Sequence, residues 1–367
     1  VQLGIVGLPN AGKSTLFNVV TGAGAPTGAY PFTTVDSNVG EVAVPDPRLE
    51  RISRAIGSQS VVPASVRIVD IAGLVRGASR GQGLGNRFLG YIREVDAIAH
   101  VVRAFRRSDV SHSEGQLNPL RDVQLVEQEL LMADAETLER RLESLERKAK
   151  SGDEQVMAEL EEVRALKDTI DSGDYLAGND IPPEHGRRAR DLHLLSIRPV
   201  VYVINVDEET AAGPENEEVS ELIGPVEGLA HRRGMKALRL CAGLEEELTA
   251  LDEEEQEAFR VEMGLVGDGR QRFLHAAHDV LGLITYFTGN EKETRARSLR
   301  QGGTALEAAR KVHSDIGEGF IRADVVSADD LMRVGSRERA RRKGLLRSEG
   351  RDYTVCDGDV IEVHFRS

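Results

Sequence analysis

Apolar residues follow two rhythms along this chain. Short, β-rich runs of strand length appear at Leu3 to Val6, Val66 to Asp70 (VRIVD), Ala97 to Val102 (AIAHVV), Pro199 to Asn205 (PVVYVIN) and Met235 to Cys241 (MKALRLC). The first run meets a Gly-rich turn and then a helix from about Ser14 to Val20. Apolar runs separated by helices predict an α/β fold with a doubly wound, mostly parallel sheet. The second rhythm is helical. Leu138, Leu142, Leu145 and Ala149 share one helical face, and so do Val156, Leu160, Val163 and Ile170. The stretch Lys150-Ser151-Gly152-Asp153 between them reads as a tight turn, so the segment predicts an antiparallel coiled-coil hairpin inserted into the sheet domain. The stripes are packing seams; a partner would meet basic positions such as Arg140, Arg141, Arg147 and Lys148.

From about Gly282 the pattern changes. Short β-rich runs at Leu283–Thr288, Gly319–Val325, Tyr353–Val355 and Val360–Phe365 flank a helix near Thr304–Val312, predicting a small β-grasp-like α+β module. The expected domains are therefore residues 1–117 with 197–281 (the sheet domain), 118–196 (the helical insertion) and 282–367 (the C-terminal module). A length of 367 residues agrees, since single cores rarely grow beyond about 250–300 residues.

Composition narrows the class. Aromatics make up 4% and Trp is absent, so the cores must be aliphatic. The two cysteines, Cys241 and Cys356, form neither a disulfide framework nor a zinc motif, which fits a reducing compartment. No apolar run reaches the ~18–20 residues a membrane span needs. The chain opens on the strand-like VQLGIVG, leaving no room for a signal peptide, and a cytoplasmic location without membrane contact is expected. A net charge of −14 argues against a general nucleic-acid binder, and no DNA specificity is expected. Between Asp330 and Arg351, however, eight basic residues face three acidic ones, which is either a solvated helix face or an RNA contact.

The chemistry is concentrated in a few motifs. Gly7-Leu8-Pro9-Asn10-Ala11-Gly12-Lys13-Ser14 satisfies G-x-x-x-x-G-K-[ST] between a strand and a helix, as a phosphate-binding P-loop requires. The glycines let backbone N–H groups face phosphate oxygens, Lys13 would reach the β- and γ-phosphates, and the Ser14 hydroxyl would coordinate magnesium. Pro31-Phe32-Thr33-Thr34 falls where P-loop switch proteins keep a threonine that closes on magnesium. Asp70-Ile71-Ala72-Gly73 matches D-x-x-G, whose aspartate holds magnesium through water and whose Gly73 amide senses the γ-phosphate. Leu74 follows, where signalling GTPases keep a water-orienting glutamine, so catalysis must borrow a group or be slow. In place of N-K-x-D the chain has Asn205-Val206-Asp207-Glu208. Losing a bidentate guanine contact removes on the order of 1–3 kcal/mol of discrimination by analogy with base readout, which favours adenine. Cys241-Ala242-Gly243 would complete the base pocket through backbone amides, with Cys241 a buried small residue.

Together these motifs resemble the Obg-like ATPases of the YchF type, a branch of the translation-factor-related P-loop GTPases. The likeness runs over GLPNAGKST at 7–15, YPFTT at 30–34, DIAGLVRGASRGQGLGNRFL at 70–89 and the N-x-x-E form from Asn205 to Glu208. In the tail it covers TYFTGNEKETRA at 285–296, GFIRADVV at 319–326 and EGRDYTVCDGDVIE at 349–362. The tail is similar to a TGS domain, a β-grasp fold associated with ribosome and RNA binding. The resemblance implies weak ATPase activity in preference to GTPase and a link to ribosomes, the large subunit above all, through the TGS domain and the hairpin. It places nucleotide contacts at Asn10, Ala11, Gly12, Lys13, Ser14, Thr15 and the Val206 region, magnesium at Ser14 and Thr34, and a helping histidine at His112. Arg297 stands where relatives often have tryptophan, which favours phosphate contact over base stacking. Two rival readings stay open: an Obg-class GTPase, and a nucleotide-sensing ribosome- or RNA-binding module in which hydrolysis is incidental.

Overall fold

The computed structural model describes residues 1–22, 38–71, 84–106, 117–150, 152–178, 181–213, 217–265 and 267–366, with the backbone alone at 84–87. In chain order the strands are β1 (Gln2–Val6), β2 (Asn38–Val44), β3 (Ser60–Val62), β4 (Ala64–Asp70), β5 (Ala97–Ala104) and β6 (Val200–Val206). They continue with β7 (Lys236–Leu240), β8 (Leu283–Gly289), β9 (Glu293–Arg300), β10 (Phe320–Ser327), β11 (Arg347–Glu349) and β12 (Asp359–Phe365). The chain forms two compact units: Val1–Gly40 with Arg67–Val280, and Glu41–Val66 with Leu281–Ser367. The second unit thus takes in Glu41–Val66, a stretch that the sequence pattern assigned to the sheet domain. Among the described residues no helix is long and apolar enough to cross a membrane.

The first sheet runs β2-β4-β1-β5-β6-β7. The pairs β1–β4, β1–β5, β5–β6 and β6–β7 are all parallel. Every residue of β5 and β6 is buried, as expected for central strands covered on both faces, while β2 alternates and lies at the edge. Register brings the carboxyl ends together: Ile5 lies opposite Asp70, Arg103 opposite Asn205, and Asn205 opposite Leu240. In open parallel sheets this carboxyl edge is where ligands bind.

The insertion is a helical hairpin. A helix at Pro119–Ala149, capped by the Asn118 side chain, is followed by a helix at Glu154–Asp171 capped by Asp153. Leu138, Leu145, Leu160, Val163, Leu166 and Ile170 form its buried seam. Arg141, half-buried, is bound to Glu159 across the seam and latches the two helices. Arg140, Arg147 and Lys148 are exposed. Asp134 fastens the long helix to the segment before β6, accepting from the Leu195 and Ser196 amides at 2.7 and 2.8 Å.

The second unit carries a mixed sheet of order β11-β10-β12-β8-β9-β3. Its β9 reads Glu-Thr-Arg-Ala-Arg-Ser-Leu-Arg, in which only Thr294, Ala296 and Leu299 are buried; the charged positions hide the strand from a search for apolar runs. The run at Tyr353–Val355, by contrast, makes only an isolated bridge between Thr354 and Thr304. Arg297 donates to Thr288 Oγ1 at 3.3 Å and to the Lys311 carbonyl at 3.0 Å. Its guanidinium therefore braces the module.

Candidate nucleotide site

The chain leaves β1 at Val6, turns through Gly7 to Gly12 and enters the helix Lys13–Thr21. Space dictates both glycines. A Cβ on Gly7 would press into the Val101 carbonyl oxygen, and one on Gly12 would strike the Asn205 side-chain amide. Gly12 (φ 97°) and Asn10 (φ 63°) adopt left-handed conformations, which Gly takes freely and Asn tolerates. No side chain caps the helix and no acidic residue sits in its first turn. Its first closed turn is Leu16 N to the Gly12 carbonyl at 2.9 Å, and the amides of Lys13, Ser14 and Thr15 precede that bond. An uncapped helix start with a positive dipole end is built to receive an anion.

Lys13 is 9% exposed, and its ammonium donates to the Leu8 carbonyl at 2.9 Å. Burial lowers its pKa, and the nearby Asp70 carboxylate opposes that shift. Asp70, at the end of β4, accepts from the Ser14 hydroxyl at 3.3 Å through one oxygen. Its other oxygen, Oδ1, is buried with no hydrogen-bond partner among the described residues. Burial raises the Asp70 pKa, while Lys13, the Ser14 hydroxyl and the Asn38 side-chain amide act against it. A buried carboxylate oxygen left without a donor, beside a serine hydroxyl, is the donor set a hard divalent cation takes, completed by water and phosphate oxygens.

Asn205 ties the site together. Its Nδ2 donates to the Ala11 carbonyl, and its Oδ1 accepts from the Ala242 amide, each at 2.9 Å. One buried side chain thereby clamps the P-loop to the start of the helix Ala242–Leu248. The other residues of the base region separate into two groups. Val206 and Cys241 are buried and share the wall of a cavity of about 380 Å³ with Leu244. Cys241 also caps its helix, its sulfur accepting from the Leu244 amide at 3.5 Å, and burial pushes its thiol up. Glu208 is exposed at the start of the helix Glu208–Ala212, and the Asp207 carboxylate is engaged by the Thr210 amide. Thr34, Gly73, Leu74 and His112 lie outside the described residues.

Beside the site runs a buried polar cluster that the sequence reading did not single out. His100, on β5, is 3% exposed, and burial with the Lys13 charge lowers its pKa to about 3. Its ring lies 5.9 Å from that of Tyr202 on β6. The Tyr202 hydroxyl donates to Glu127 at 2.8 Å, and Arg233 donates to both, at 2.6 and 3.0 Å. One signal was available: Glu127 is a carboxylate on the apolar face set by Val123, Val126 and Leu130. In the C-terminal unit, five of the eight basic residues between 330 and 351 have an acidic partner. Arg333 pairs with Asp330, Arg337 with Glu362, Arg341 with Asp324, Arg342 with Glu338 and Arg347 with Asp359.

A strand, a glycine-bent loop, an uncapped helix bearing Lys13 and Ser14, and an aspartate at the end of the adjacent parallel strand define a P-loop NTPase of the GTPase fold. Comparison with known families agrees. Residues 2–151 match the MMR_HSR1 family, described as "50S ribosome-binding GTPase". Residues 283–366 match YchF-GTPase_C, described as "Protein of unknown function". The chain is 41% identical over 363 residues to the ribosome-binding ATPase YchF of Bacillus subtilis, covering 99% of this chain and 98% of that protein. It is 40% identical over 364 residues to the same-named protein of Escherichia coli O157:H7, covering 99% of each. The solved structure of the Schizosaccharomyces pombe YchF GTPase superimposes with a TM-score of 0.86 at 31% identity, covering 99% of this chain and 97% of that one. The chain belongs to the YchF family.

Proposed function

We propose that this protein is a magnesium-dependent, slowly hydrolysing ATP switch that binds ribosomes in the cytoplasm. The observation that carries the reading is the buried, unpartnered Asp70 Oδ1 beside Ser14, set against a helix start whose amides lack a cap. The loop amides and the first-turn amides bind the triphosphate, and Lys13 leaves the Leu8 carbonyl for the phosphate oxygens. Asn205 keeps the loop in register during that exchange. Magnesium, held by Ser14 and by Asp70 with Thr34, would neutralise charge on the β- and γ-oxygens. The Gly73 amide senses the γ-phosphate, and His112 orients the water that Leu74 cannot.

Adenine is favoured because the segment after β6 offers guanine no positioned carboxylate: Glu208 is exposed and the Asp207 side chain is engaged by its own helix. The relatives' name, ribosome-binding ATPase, supports both the nucleotide and the partner. The hairpin and the C-terminal module supply the ribosomal contact, to RNA of the large subunit, with Arg140, Arg147 and Lys148 as its exposed cations on the hairpin.

The test is turnover of ATP and GTP with and without purified ribosomes, with His112→Ala alongside. Faster ATP turnover that ribosomes alter and His112→Ala abolishes is expected. A clear preference for GTP would instead make the protein an Obg-class GTPase. Ribosome binding that ignores the bound nucleotide would sink the switch.

A further inference from the structure

A second cavity, of about 660 Å³, opens at the other end of the same sheet. Its walls include Pro199 and Val200, where β6 begins, and Met235 and Lys236, where β7 begins. The nucleotide loops follow the far ends of these parallel strands, about 20 Å away at ~3.3 Å per residue. The volume lies within the range of small-molecule sites. Most of the lining is aliphatic, with Ile181, Ile197 and Val280 joining Val200 and Met235.

The helix Pro183–Asp191 presents one face to this space: Pro183, Gly186, Arg187 and Arg190 all line it. The side chain between them, Arg188, turns the other way and pairs with Glu162 at 2.8 Å and Glu159 at 3.5 Å. Arg187 and Arg190 are exposed and form no ion pair with any described residue. The other cations on the wall are committed. Lys236 pairs with Asp279 at 2.5 Å, and Arg233 with Glu127.

Gly186 makes the cavity more than a surface hollow. Glycine inside a helix costs about 0.5–1 kcal/mol relative to alanine. Here neither the backbone nor the packing demands it: Gly186 has no positive φ. An added Cβ would meet nothing closer than Arg190 NH1 at 3.7 Å and Ile181 Cδ1 at 3.9 Å, both ordinary contacts. What a larger side chain would do is fill the space beneath the Arg190 guanidinium.

We propose that this cavity is a binding site for a small amphipathic anion, whose apolar body lies against the aliphatic wall and whose carboxylate or phosphate meets Arg187 and Arg190. Gly186 keeps the floor open for that body.

The experiment is calorimetric titration of the full chain with decanoate, decyl phosphate, decanol and inorganic phosphate, each below micelle formation. An anionic amphiphile is expected to bind one per chain, with decanol at least tenfold weaker and inorganic phosphate not competing. Comparing decanoate with decyl phosphate separates a carboxylate head from a phosphate one. Gly186→Leu should abolish binding while leaving nucleotide affinity and thermal midpoint intact. The pair Arg187→Gln with Arg190→Gln should weaken it roughly ten- to hundredfold, as loss of charge-assisted hydrogen bonds does. Should Gly186→Leu fail to fold, Met235→Trp fills the space from the opposite wall. Absence of saturable binding, binding that survives both filling variants, or decanol binding as well as the anions would overturn the assignment. None of these outcomes depends on which nucleotide the P-loop takes.

Discussion

Asn205→Ala is the perturbation whose consequences can be worked out most fully. Asn205 is 4% exposed, and truncation removes its bonds to the Ala11 carbonyl and the Ala242 amide at once. Both backbone groups are then left buried without a partner. Each such orphan costs about 1–3 kcal/mol, so the folded protein should lose roughly 2–6 kcal/mol. The loss falls on the loop that carries the phosphate site. Triphosphate affinity should therefore drop about ten- to hundredfold, and by the same factor for ATP and GTP, because the clamp acts on the cradle and not on the base. Asn205→Asp should do no better: it keeps the acceptor for Ala242 but sets a carboxylate oxygen against the Ala11 carbonyl. Urea unfolding measures the first effect, and calorimetric titration with each nucleotide and magnesium measures the second. An unfolding midpoint matching that of the unsubstituted protein, or a loss confined to one nucleotide, would refute the clamp.

Other expectations follow from the same geometry. The His100 pKa falls from 6.5 to about 3 on folding, so the folded state binds fewer protons than the unfolded chain in that interval. Stability should fall as pH drops through the window, by up to about 1.4 kcal/mol per pH unit from this group, and His100→Gln should flatten the slope by one proton. Glu127→Ala leaves the Arg233 guanidinium half-buried without its carboxylate and should cost about 3–5 kcal/mol by urea unfolding. The exposed pair of Arg342 with Glu338 should cost under about 1 kcal/mol when Glu338 is replaced, and equal losses at the two sites would contradict this ranking. Ser14→Ala should weaken nucleotide binding in magnesium far more than in chelator, which titration in the two buffers reads directly.

Much of the sheet domain is legible in the sequence because its central strands are buried on both faces. An unbroken apolar run such as Val200–Ile204 has no other stable home. The P-loop is legible for a different reason: Gly7 and Gly12 sit where a Cβ would meet a carbonyl oxygen or the Asn205 amide, so the motif records a steric demand. What escapes is what depends on distant partners. β3 reads as three polar-to-apolar residues and becomes a strand only by pairing with β9, more than two hundred residues later. β9 itself is masked by four charged side chains. The basic stretch after Asp330 looks like a cationic surface in one dimension because Glu362, Asp324 and Asp359, which balance it, are close only in space. Glu127 and Arg233, more than a hundred residues apart, show the same thing inside the core.

Base choice also turns on local geometry. The relatives are named ATPases, while the fission-yeast structure carries the name GTPase. A guanine reader needs a carboxylate held rigidly toward the base edge. In this chain the fourth motif position is Glu208, a longer side chain exposed at a helix start, and the preceding Asp207 is engaged by the Thr210 amide. Val206, where a lysine would lie along the purine, is 2% exposed and belongs to the core. On the proposed reading guanine would lose its contacts without adenine gaining a matching set. Sites that reject a substrate by leaving their own buried polar groups unpaired discriminate by about 10⁴–10⁵, whereas merely apolar differences give roughly 10–200-fold. Preference for ATP here should be of the second kind, a ratio of tens. On the proposed reading the base would contribute little to the switch, and the triphosphate, met by Lys13, Ser14 and Asp70, would carry most of it.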